Sequence, residues 1–77
     1  MVELRNMKIE INEQQPVYEA VKILESKGLH LNKRQSIEDA TNTTFIGIFN
    51  GWFELFRIPH EIWDGEFITL SEIKGIK

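Results

Sequence analysis

The spacing of apolar positions changes along this chain, and each change marks an element. Near the start they fall at Val2 and Leu4, then at Met7, Ile9 and Ile11. Each group alternates with the period of two expected of a half-buried strand, but the phase slips by one across Arg5-Asn6. A strand over Lys8–Ile11 is predicted, with residues 1–6 as a bulge or a loose N-terminal arm. Past Pro16 the period lengthens. Val17, Ala20, Val21 and Leu24 share one helical face, while Glu19, Lys22 and Ser26 point away. Pro16 suits a first turn, where backbone N–H groups have no intrahelical partner, and Gly28 accepts the left-handed conformation that ends many helices. A helix over Val17–Lys27 follows.

Residues 29–42 carry two competing patterns. Leu29 and Leu31 alternate with His30 and Asn32, as in a short strand, while Ser36-Ile-Glu-Asp39 has the form of a capping box opening a helical turn over 37–41. Periodicity then returns at Thr43–Pro59, TTFIGIFNGWFELFRIP, which holds five of the eight aromatic residues. Asn50-Gly51 at its centre is the strongest short-range hairpin signal, because a type I′ turn needs positive φ at both central residues. Asp64-Gly65 repeats that signal, and Glu66-Phe-Ile-Thr-Leu70 reads as the strand after it. Ser71–Lys77 reads as a charged tail in which Ile73 and Ile76 can still pack.

The predicted fold class is α+β: a single two-layer domain over residues 1–77, ordered β-α-β-β-β, with an antiparallel meander packed on one helix. The alternative is a small SH3-like β-barrel with an added helix, in which Gly47 lets a strand bend sharply. A tight loop at Asn50-Gly51 sets Phe49 opposite Trp52, Ile48 opposite Phe53 and Ile46 opposite Leu55. Ile46, Ile48, Phe53 and Leu55 then share a face suited to the helix stripe. The other face holds Phe45, Gly47, Phe49, Trp52, Glu54, Phe56 and Ile58. Two apolar faces exceed what one helix can cover. Either Trp63, Phe67 and the N-terminal arm close over the second face, or another molecule does.

Composition narrows the chemistry. Seventy-seven residues form one domain with a stability of about 4–10 kcal/mol. There is no cysteine, which removes disulfides, thiolate metal sites and thiol nucleophiles. Nine basic against twelve acidic residues leave a net charge of −3, an unfavourable balance for nonspecific nucleic-acid or anionic-membrane binding. No apolar run is long enough to span a bilayer, and the first residues lack the apolar core of a signal peptide, so a cytoplasmic protein is expected.

Catalysis finds little support. His30 and His60 are the only histidines, and their separation is not a metal-ligand spacing. His60-Glu61 with Asp64 reads better as a solvated turn than as an acid–base group, and Ser36 and Ser71 sit in no nucleophile motif. No catalytic residue, metal or cofactor is therefore assigned. The expected function is a small non-enzymatic interaction or regulatory module, binding a protein partner or a second copy through Phe45, Phe49, Trp52, Glu54 and Phe56. The alternative is single-stranded nucleic-acid binding, with bases on the aromatic hairpin and phosphates on Lys33, Arg34 and Arg57.

Overall fold

A computed structural model describes residues 6–58 and 65–76. Strand β1 (Met7–Glu10) leads to helix α1 (Val17–Ser26), a short strand β2 (His30–Leu31) and a 3-10 turn over Ile37–Ala40. Strands β3 (Phe45–Ile48) and β4 (Trp52–Phe56) form the central hairpin, and β5 (Glu66–Phe67) and helix α2 (Leu70–Lys74) complete the domain. The five strands make one mixed sheet in the order β2-β4-β3-β1-β5. The α+β class is thus as the sequence predicts. Among the described residues the sheet is open rather than closed into a barrel, with β2 and β5 at its edges.

The hairpin has the predicted register, with Ile48 opposite Phe53, Gly47 opposite Glu54, Ile46 opposite Leu55 and Phe45 opposite Phe56. Its turn differs from the expected type I′. Gly51 has φ +90°, but Asn50 is not among the residues with positive φ. Positive φ at the second central residue alone is the demand of a type II turn. Ile46, Ile48, Phe53 and Leu55 are buried with Ala20, Val21 and Leu24 of α1, Ile9 of β1, and Leu70 and Ile73 of α2. Full burial of a side chain such as Phe53 contributes about 1.5–3 kcal/mol, so this one layer supplies most of the fold's driving force.

The meander is where the predicted topology fails. Strand β5 does not follow β4 in the sheet; it lies at the far edge, parallel to β1, with Met7 opposite Glu66 and Lys8 opposite Phe67. The reason lies on β4. Its second edge is already occupied by β2, which runs parallel to it with His30 opposite Trp52 and Leu31 opposite Phe53. A later strand can therefore join only at an outer edge, beyond β2 or beyond β1, and β5 takes the β1 edge. Asp64 of the Asp64-Gly65 signal lies outside the described residues, as do Trp63 and residues 1–5 of the predicted N-terminal arm over 1–6.

The C-terminal segment is also more structured than a charged tail. Thr69 caps α2: its hydroxyl accepts from the Glu72 N–H at 3.1 Å, and the Glu72 carboxylate accepts from the Thr69 N–H at 3.1 Å. This capping box ends the strand early and turns Leu70 and Ile73 into the core. Gln15 fixes the helix start to the sheet, its amide donating to the Glu10 carbonyl at 2.8 Å and accepting from the Leu70 N–H at 2.9 Å.

Candidate binding groove

The second sheet face, opposite the helices, is only partly a surface. Its rows run across the strands: His30–Trp52–Phe49, then Asn32–Glu54–Gly47–Lys8–Phe67, then Phe56–Phe45–Glu10. Phe45 is fully buried and stacks on half-buried Phe56, with ring centroids 4.7 Å apart and planes at 11°. Lys8 is only 5% exposed, with its ammonium 4.5 Å from the Phe67 ring centre and 5.9 Å from that of Phe45. The centre of this face is closed within the chain. Phe45 is therefore withdrawn from the predicted partner surface, because a side chain without exposed area has nothing to offer another molecule.

The open part lies at the β2 edge. A groove of about 760 Å³ is lined by His30, Leu31, Asn32, Lys33, Arg34, Asn50, Gly51, Trp52 and Glu54. Trp52 is 37% exposed and stacks on Phe49 with centroids 4.1 Å apart and planes at 15°. Phe49, on the β3 side, backs one face of the indole. The groove occupies the β2 side, where Trp52 lines it beside His30, its partner on β2.

Both cations of the groove sit at the tip of a tight turn. The Gln35 N–H donates to the Asn32 carbonyl at 2.9 Å, which leaves Lys33 and Arg34 as its central residues. Asn32 anchors the first corner: its N–H donates to the Phe53 carbonyl at 2.8 Å and its amide donates to Glu54 Oε1 at 2.5 Å. The same side chain accepts from the Arg34 N–H at 3.0 Å, closing an Asx turn inside the β-turn. Gln35 anchors the second corner through both backbone groups of Leu55. The turn is thus pinned to β4 on both sides. Lys33 and Arg34 are exposed, and neither joins an ion pair among the described residues.

The predicted site residues separate accordingly. Trp52, Glu54, Lys33 and Arg34, which the sequence divides between two readings, line the same groove. Phe49 supports it from behind, and Phe56 belongs to the closed centre. Arg57 lies at the other end of β4, five residues from Trp52, or about 17 Å along a strand. It is not part of the groove. Asn32 and His30 are the additions. Local pattern could not place them there, because only the parallel pairing of β2 with β4 carries them to Trp52.

Other chemistry is sparse. No group of three or more His, Asp or Glu side chains among the described residues is arranged to hold a metal ion, and no described helix is long and apolar enough to cross a membrane. His60, Glu61 and Asp64 lie outside the described residues. No protein-family model, curated protein or solved structure matches the chain.

Proposed function

We propose that this chain is a non-enzymatic binding module whose working surface is the groove between the β2 edge and Trp52. The observation that carries this reading is the convergence of Trp52, Lys33 and Arg34 on one concavity, although Arg34 and Trp52 are 18 positions apart in the chain. An indole already stacked on Phe49 gives contact area at small entropic cost, and the pinned turn fixes the backbone from which the two cations extend. Of the partners the sequence suggests, a broad protein surface or a second copy loses ground, since Phe45 is buried and Phe49 and Phe56 are half-buried. What remains favours a narrow ligand that combines an apolar or planar group with negative charge.

The test is retention on the immobilised chain. A host extract is passed over the parent and over Trp52→Ala and Lys33→Ala/Arg34→Ala variants, each checked for folding by circular dichroism. Material held by the parent and released by both variants is the expected result. Equal retention by all three would end the proposal.

A further inference from the structure

Resting on the binding reading above, we infer that the groove takes one nucleotide unit of a single-stranded nucleic acid, with the base on Trp52 and the adjoining phosphates at Lys33 and Arg34. Three features point to that ligand. The indole is stacked on Phe49 and lines the groove, so a planar ring entering there would meet an aromatic already held in a stack. Bases are the planar rings that stack on such platforms without regard to sequence. The two cations are consecutive residues at the tip of a turn whose corners are hydrogen-bonded to β4, beside that ring. Phosphates flanking a base lie on a strand as consecutive charges, which two consecutive cations on a pinned turn can meet together. Finally, a volume of about 760 Å³ lies within the range of small-ligand sites, roughly 300–1,000 Å³, and is too small for a duplex.

The acidic balance of the chain limits the ligand without excluding it. At physiological salt, charges are screened beyond about 8 Å, so the groove is governed by the groups that line it rather than by the net −3. Those groups are Lys33, Arg34, His30 and one carboxylate, Glu54, which accepts a hydrogen bond from Asn32. Two cations predict a short footprint and a shallow salt dependence. With about −0.7 per phosphate contact for single strands, log K should fall with log salt at a slope of about −1.4.

The experiment uses the full chain and fluorescence anisotropy of a short labelled oligodeoxythymidylate, at low and at near-physiological salt. The expected result is saturable binding with that slope. Trp52→Ala should weaken it roughly 5- to 150-fold, the range for loss of one stacking partner. Lys33→Ala/Arg34→Ala should flatten the salt slope, while Tyr18→Ala, an exposed aromatic on α1, should change nothing. Competition with free thymidine monophosphate, a duplex of the same length and a polyglutamate of similar charge completes the test. Displacement by polyglutamate as effective as by unlabelled oligonucleotide would overturn the inference, since charge alone would explain it. Monophosphate binding as tight as the strand's would overturn the assignment to a strand. No binding at low salt would also overturn it. Retention of another partner that depends on Trp52 would still leave the module reading standing, and loss of both would remove both.

Discussion

The side-chain amide of Gln35 does for Leu55 what a neighbouring strand would do. Its Nε2–H donates to the Leu55 carbonyl at 2.8 Å, and its Oε1 accepts from the Leu55 N–H at 2.7 Å. In the parallel pairing of β2 with β4, the backbone groups facing β2 belong to alternate residues, and β2 ends before it reaches Leu55. Gln35 closes that last rung and at the same time pins the turn that carries Lys33 and Arg34. Gln35→Ala should therefore cost about 1–3 kcal/mol, because two part-buried backbone groups lose their partner. Urea unfolding reads this as a lower midpoint with an unchanged slope. A loss below about 0.5 kcal/mol would mean that water replaces the amide.

The central turn makes a second, sharper distinction. With positive φ at Gly51 and not at Asn50, the two residues of the same hairpin signal carry unequal demands. An added Cβ at Gly51 meets nothing within 4 Å, so the cost of Gly51→Ala is conformational, about 1–2 kcal/mol. Asn50→Ala should stay within about 0.5 kcal/mol, and Asn50→Pro should be tolerated, as proline suits the first central position of a type II turn. A type I′ turn would reverse the Asn50 results. Thermal melts of the three variants decide it.

These two cases show how far the sequence reaches. The hairpin register, the stripe of α1, the left-handed Gly28 and the short β2 all follow from local periodicity and turn chemistry. Such signals depend on residues close in the chain. The turn type escaped because Asn-Gly satisfies types I′ and II alike at its second residue. The position of β5 escaped for a different reason: it depends on which sheet edge is vacant, and the partner of β4 lies about twenty residues upstream of it. The groove escaped with it, since Trp52 meets Lys33 and Arg34 only across the β2–β4 pairing. By contrast, the capping box that starts α2 was legible in Thr69-Leu-Ser-Glu72 and lost only to the reading of Glu66–Leu70 as one strand.

That capping box yields a third prediction. Helix α2 has only five residues, so its stability comes from its cap and from burial of Leu70 and Ile73. Thr69→Ala removes the acceptor for the Glu72 N–H and should cost about 1 kcal/mol, whereas Thr69→Ser, which keeps the hydroxyl, should cost much less. Hydrogen exchange locates the effect. Protection should fall at Ile73, whose N–H donates to the Thr69 carbonyl at 3.1 Å, before it falls in the hairpin. Uniform loss of protection across the sheet would show that α2 does not open on its own.

The fourth prediction concerns the closed half of the second face. Lys8 is a charged residue in the middle of a sheet, opposite Gly47 in one direction and Phe67 in the other, and it is almost wholly buried. The ammonium sits 4.5 Å from the centre of the Phe67 ring, well within the distance at which a cation is attracted by an aromatic face. Single substitutions cannot isolate that attraction, because Lys8 makes other interactions as well. A double-mutant cycle can. Lys8→Met keeps most of the stem and removes the charge, Phe67→Leu removes the ring and keeps an apolar group, and the doubly substituted chain closes the cycle. The coupling should be about 0.5–2 kcal/mol, between the exposed and desolvated limits, since Lys8 is buried and Phe67 half exposed. It should also change little with salt, unlike a surface ion pair. A coupling within about 0.3 kcal/mol of zero would mean that Phe67 merely covers Lys8. The edge strand β5 would then be held by its backbone pairing to β1 and by the burial of Ile68 just beyond it.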